Sequence, residues 1–265
     1  MSEKVVSYSS DGTVAMIGLD RPKKRNALSA DLSKQLREAV LRSYEEAKVG
    51  LIYSHGDHFC AGLDLAEAAK WMNDQREHFQ IRLRRGAPFT EIARSPIPFV
   101  AAINGACIGG GLELASSCHL RVADETAFFA LPEGQRGIYI GGGGSGRVAR
   151  LLGVARMSDL MLTGRVLTAA EGERYNVVQY VVPPGQHLER AKSLARRIAE
   201  NAPMTNWAIA NALPRIQDTG HEDGLFFEGL VGQVVASPES TKRLNEFVSG
   251  QAKRIAKPGM SGDGH

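Results

Sequence analysis

The sequence predicts an α/β fold with a helical C-terminal segment, and three observations carry that prediction. Strand-turn-helix units recur through the first two hundred residues, short apolar runs of strand length alternate with stretches of helical period, and from about Asn201 the pattern is nearly all helix. A chain of 265 residues, 43% apolar and 23% charged, can bury one large core with an appended segment. The boundary is expected near Asn201-Ala202-Pro203, where strands stop, giving a core over 1–200 and a helical segment over 201–265.

Residues 4–20 alternate around Asp11-Gly12, a hairpin turn signal, with Val14 and Met16 on one face. Ser29 is a helix N-cap with Asp31 in the first turn, and Leu32, Leu36, Ala39, Val40 and Tyr44 repeat at helical spacing up to about Lys48. Val49 to Tyr53 is a short strand ending in His55-Gly56-Asp57-His58-Phe59, followed by Cys60-Ala61-Gly62-Leu63-Asp64. A mainly helical segment over 66–93, the strand Phe99 to Ile103, a glycine turn and a helix into Ser117 come next. Strands near Leu120 to Ala123 and Ala127 to Leu131 lead to Pro132-Glu133. The low-complexity stretch Gly141 to Gly146 precedes helical segments at 148–152 and 157–163, and Ser237-Pro238-Glu239 starts a late helix.

Composition excludes several classes. The long apolar stretch from Ile97 to Ser117 carries Pro98, Asn104, Glu113 and three glycines, which argues against a membrane span. The first residues, Met1-Ser2-Glu3-Lys4, lack a signal pattern, and Cys60, Cys107 and Cys118 have neither metal spacing nor an even disulfide count, so a reducing cytoplasm is expected. The net charge of +3 is small, and the basic clusters lack the interleaved aromatics of a nucleic-acid surface, so neither nucleic acid nor membrane is expected as a partner.

The chemistry concentrates in two acids and two turns. In Ile103 to Leu114 a strand breaks at Gly109-Gly110-Gly111 and opens a helix, so unpaired N–H groups point outward there, a geometry that favours negative charge. Taken alone, that turn also fits a tight bend, Glu113 fits a complement to the helix dipole, and Glu133 fits a surface acid.

Four runs resemble the crotonase, or enoyl-CoA hydratase/isomerase, superfamily in order and spacing over almost the whole chain. They are Leu19-Asp20-Arg21-Pro22 with Asn26-Ala27-Leu28, Phe59 to Leu65, Asn104 to Leu114, and Leu131-Pro132-Glu133. The resemblance implies a spiral of repeated β-β-α units with a C-terminal helical segment that assembles trimers or hexamers. It implies an acyl-coenzyme A substrate, with coenzyme A as part of the substrate and no separate cofactor or metal. An oxyanion hole would come from the backbone N–H groups of Leu63 and Gly110. Glu113 would hold and activate water, and Glu133 would exchange a proton with Cα. Lys24, Arg25 and Ala61 would contact coenzyme A, with Leu63 and Gly110 at its thioester; Lys253 and Arg254 would reach a neighbouring subunit's nucleotide.

Retention of both acids points to enoyl-CoA hydratase over isomerase, and the acid-free stretch Gly137 to Gly146 argues against the dehalogenase branch. Acyl-CoA hydrolysis, hydration coupled to it, and isomerisation stay open because the same oxyanion hole serves each. Tyr139, Trp71 and the segment Arg82 to Arg85 are candidates for the acyl pocket, with core or subunit packing as the alternative for Trp71 and Tyr139. His55 and His58 read as turn residues, and His119 as a complement to a helix C-terminus. A serine hydrolase at Ser116, Ser117 or Ser145 finds no matching elbow with a histidine and acid.

Overall fold

A computed structural model describes residues 3–71 and 88–251, apart from the side chain of Trp71. The expectations for Trp71 as a pocket residue, Arg82 to Arg85, Lys253 and Arg254 lie outside the described residues. Two compact units divide the chain, Met1–Asn211 and Ala212–His265.

The first unit is built on a six-stranded sheet of order β1-β2-β3-β4-β6-β9 and a three-stranded sheet of order β5-β7-β8. The hairpin β1 (Val6–Ser10) and β2 (Val14–Leu19) is antiparallel, and helix α1 (Ala30–Glu46) follows, with the Ser29 side chain accepting from the Leu32 amide. Strands β3 (Val49–Ser54), β4 (Phe99–Ile103), β6 (Leu120–Asp124) and β9 (Tyr180–Val182) continue the large sheet in parallel.

Successive units give one strand to each sheet and then a helix. After β3 comes a bridge at Cys60 and α2 (Leu65–Trp71). After β4 come β5 (Ala106–Ile108) and α3 (Gly110–Ser117), and after β6 comes β7 (Phe128–Ala130). Cys60 pairs with Cys107, β5 with β7, and β7 with β8 (Val166–Thr168), so the second sheet climbs in the same order as the first. This is the expected spiral of β-β-α units. The sequence predicts one strand, Phe99 to Ile103, before the glycine turn; the separate three-residue β5 is fixed by partners distant in sequence.

Parallel strands must bury both faces. On β4, Phe99, Ala101 and Ile103 face the main core, whereas Val100 and Ala102 face a second one. The second core is closed by α7 (His187–Ala199) through Ala191, Leu194, Ala195 and Ala199. Helices α4 (Gly144–Leu152), α5 (Val154–Thr163) and α6 (Ala169–Arg174) lie between β7 and β9 in sequence, and α8 (Pro203–Ile216) follows α7. In the second unit, α9 (His221–Val235) and α10 (Pro238–Val248) carry exposed Phe226, Phe227, Leu230, Leu244 and Phe247.

Candidate active site

The loop after β3 is laced to β5 by backbone hydrogen bonds: Phe59 N to Asn104 O at 2.8 Å, Cys60 N to Ala106 O at 2.8 Å, and Ile108 N to Cys60 O at 3.0 Å. Gly62, at φ +90°, must be glycine, because a Cβ would stand 2.7 Å from the Ile108 carbonyl and 3.3 Å from the Gly110 amide. A Cβ on Gly110 would in turn lie 3.7 Å from the Leu63 amide. The amides of Leu63 and Gly110 are therefore neighbours, and among the described residues neither donates to a protein acceptor. The Gly110 amide also opens α3, where the aligned peptides leave partial positive charge.

A strap from residues 21–28 holds this loop. Leu28 N donates to Gly62 O at 2.7 Å, Asp64 N to Leu28 O at 3.2 Å, and Ala61 N to Arg25 O at 2.9 Å. Arg21 pairs with Asp64 at 3.2 Å and donates to Ala27 O at 2.6 Å. Asn26 is fully buried at φ +55°; its Oδ1 accepts from Arg21 N at 2.8 Å, and its Nδ2 donates to His55 O at 3.1 Å and His58 O at 2.8 Å. Sequence reading quoted Asn26, Arg21 and Asp64 as motif members without giving them this work. The available signal was an asparagine after Pro22 and a basic run, a residue type that tolerates positive φ in a turn.

Glu113 sits in the first turn of α3 and is buried; its Oε1 accepts from Gly142 N at 2.5 Å and Gly144 N at 3.0 Å. Burial raises its pKa, against the pull of the Gly144, Gly142 and Gly141 amides and of Arg147. Glu133, buried after Pro132, begins the turn at Gly134–Arg136. Burial, with the charge of Glu113 adding to it against its own backbone amide, pushes Glu133 up to about 7, and its Oε2 is buried with no hydrogen-bond partner among the described residues.

Both acids line one cavity of ≈ 830 Å³. Leu63, Gly110, Ala61 and Arg25 share its wall with Leu28, Phe89, Ile138, Ile140 and Val166. The structure thus brings together all the predicted site residues but Lys24, which is exposed and outside the lining. Arg25 is exposed on the wall, its carbonyl tied to Ala61. Tyr139 also lines the cavity and is 64% exposed, which removes the core-packing alternative for it. Phe89 and the amides of Gly142 and Gly144 were not anticipated, since only the fold carries them to Glu113.

The remaining candidates are structural. His55 Nε2 meets Ser7 Oγ at 2.8 Å, and His58 Nδ1 accepts from Ala106 N at 3.1 Å, as turn residues would. His119 is a correction: its Nδ1 accepts from Phe99 N at 2.9 Å, and burial, with Arg121 nearby, lowers its pKa to about 4. A neutral ring supplies no charge to a helix end. Ser116 and Ser117 spend their hydroxyls on Glu113 O at 2.8 Å and Leu114 O at 2.6 Å, and Ser145 is exposed outside the cavity lining. Cys60, Cys107 and Cys118 are free and buried. Among the described residues no group of three or more His, Cys, Asp or Glu side chains is placed to hold a metal, and no helix is long and apolar enough to cross a membrane.

Comparison with known proteins agrees with this architecture. The family model for enoyl-CoA hydratase/isomerase matches residues 9–242. Enoyl-CoA hydratase domain-containing protein 2, mitochondrial, of Bos taurus is 37% identical over 82% of this chain and 75% of its own. The crystal structure of enoyl-CoA hydratase from Bacillus anthracis superimposes with a TM-score of 0.87 at 30% identity, over 94% of this chain and 97% of that one. A crystal structure from Rhodopseudomonas palustris CGA009 superimposes with a TM-score of 0.88 at 42% identity, over 93% and 95%. With the spiral of β-β-α units and the matches along nearly its whole length, the chain belongs to the enoyl-CoA hydratase/isomerase family, within the crotonase superfamily.

Proposed function

We propose that the protein is an enoyl-CoA hydratase, adding water across the double bond of a 2-enoyl-CoA. The observation that carries this reading is the meeting, in one cavity, of two buried carboxyl groups with two neighbouring amides that have no protein acceptor among the described residues. An isomerase needs one carboxyl group to move a proton between carbons; water addition uses one at each end of the double bond.

In this scheme the thioester oxygen lies between the amides of Leu63 and Gly110. The Glu113 carboxylate takes a proton from water as its oxygen bonds to Cβ. The electrons of the double bond move onto the thioester oxygen as an enolate, which the two amides stabilise. The Glu133 carboxylic acid then gives its proton to Cα and the carbonyl reforms. A pKa near 7 suits that duty, since Glu133 populates both its acid and its carboxylate at neutral pH and can take the proton back in the reverse dehydration. Loss of one such amide typically costs about 2.7–4 kcal/mol of transition-state stabilisation.

Arg25 and the Ala61 backbone are the proposed contacts to coenzyme A, with Lys24 as a more distant charge. The reaction needs no metal and no cofactor beyond the coenzyme A of the substrate. The exposed apolar side chains of α9 and α10 support assembly of the second unit into a trimer or a dimer of trimers, since large exposed apolar patches mark association surfaces. We place the protein in the cytoplasm.

The test follows products by mass spectrometry across a panel of coenzyme A thioesters, for wild type, Glu113→Gln and Glu133→Gln. Hydrated thioester from the wild type alone is the expected result. Free acid as first product would reassign the protein to hydrolysis, and a shifted double bond without water gain would make it an isomerase.

A further inference from the structure

We propose that Arg147 is a positioning residue that holds the glycine loop Gly142–Gly144 in the shape that grips Glu113. The geometry is a layered one. Two amides of this loop, from Gly142 and Gly144, converge on the single oxygen Oε1 of Glu113, at 2.5 Å and 3.0 Å. Such a convergence of backbone N–H groups is an anion-binding nest. On its other side, Arg147 Nη2 donates to the Gly142 carbonyl.

Each glycine of the loop is explained by what lies against it. A Cβ on Gly144 would stand 2.7 Å from Glu113 Cγ, one on Gly142 3.1 Å from Glu113 Oε1, and one on Gly143 2.6 Å from Arg147 Nη1. Gly143 is at φ +90°. The Gly142 carbonyl and the φ of Gly143 together set the angle between the flanking amides. A guanidinium bonded to that carbonyl therefore fixes where both amides point.

Four glycines in a row are otherwise the least self-ordering stretch of the chain, because each is free to leave the required conformation. Arg147 is itself anchored in α4, three residues after the loop enters the helix at Gly144, and is half-buried with Nε lacking a hydrogen-bond partner among the described residues. The ionisable groups facing this arrangement are Glu133 toward Glu113, and Arg94 and Cys118 toward Arg147. Of these, the charge of Glu113 raises the pKa of Glu133, and Arg147 favours ionisation of Glu113. Removing Arg147 thus raises the pKa of Glu113, already raised by burial.

The kinetic consequence rests on the hydratase reading, but the titration does not. Full-length protein carrying ¹³C-labelled glutamate is titrated by NMR without substrate, with Glu113→Gln identifying the resonance. Arg147→Met is expected to move the Glu113 midpoint upward by about one pH unit, a roughly tenfold weaker hold on the anion, and Arg147→Lys to recover part of it. Gly143→Ala, whose Cβ displaces the guanidinium while leaving the arginine in the chain, is the second variant should Arg147→Met not fold, and it should give the same direction. In hydration assays, kcat should fall while KM holds, as for loss of an interaction made in the transition state. A Glu113 midpoint unmoved in whichever of Arg147→Met and Gly143→Ala folds would overturn the inference. An upward shift without hydratase activity would uphold it and count against the proposed reaction instead.

Discussion

Gly109 and Glu133 stand so close that a Cβ on the glycine would lie 2.9 Å from Glu133 Oε1. Gly109 also donates to Ala130 O at 2.9 Å, which ties the start of α3 to the end of β7, three residues before Glu133. The residue that makes room for one proposed acid thus immediately precedes the Gly110 amide.

Gly109→Ala should therefore disable the site without removing any functional group. The added methyl meets Glu133 and is strained at φ +53°. A displacement near 1 Å costs on the order of 10²-fold in rate. Steady-state kinetics should show this mainly in kcat.

Gly62→Ala probes the other half. Its Cβ would push against the Ile108 carbonyl and the Gly110 amide, separating the two proposed oxyanion donors. The expected loss is about 10²–10³ in kcat, the range for one lost donor, with thermal melting used to show that the variant folds.

Hydration and dehydration should fall together as pH rises through about 7, because both directions run on the singly protonated Glu113–Glu133 pair and water addition changes no net proton count. The two acids interact, so the limbs of the profile belong to the pair. Values of kcat/KM in both directions from pH 5 to 9 should trace the same profile.

The same group links pH to stability. Its folded pKa of about 7 lies above the ordinary 4.5, so the folded state binds the proton more tightly; that stabilisation is fully present below about pH 4.5 and lost as pH rises through 7. Glu133→Gln has no proton to lose. It should exceed wild type in stability by up to about 3 kcal/mol at pH 8 and approach it at pH 4, on the scale of 1.36 kcal/mol per pKa unit. Urea denaturation at the two pH values measures the difference.

Much of this fold was legible locally. Ser29 and the Leu32, Leu36, Val40 spacing mark α1, and Asp11-Gly12 marks the first hairpin, because capping and turn chemistry act within a few residues. Thr168 and Glu171 form a capping box that opens α6, a start that sequence reading did not identify. Strand β5 was hidden because three residues between glycines carry no period, and only Cys60 and β7 make them a strand. Glu113, Glu133, Leu63 and Gly110 were legible because their motifs sit in family order. Phe89, Gly142 and Arg147 reach the site from segments 24 or more residues away from Glu113 in the sequence, and no local pattern names such partners.

Asn26 is a case where local and distant demands meet. Asn26→Ala removes three hydrogen bonds from a fully buried position and places a Cβ-bearing residue of lower tolerance at φ +55°. The expected cost is about 2–4 kcal/mol. Asn26→Gly relieves the backbone but not the hydrogen bonds, so chemical denaturation of both variants separates the two contributions.

The most direct measurement is the mass of the first product formed from a short 2-enoyl-CoA in ¹⁸O-labelled water. Gain of one labelled water with the thioester intact, lost together in Glu113→Gln and Glu133→Gln, is the outcome expected if amide-held enolate and paired acids act as described. Labelled free acid, or an unchanged rate when either acid is replaced, would contradict it.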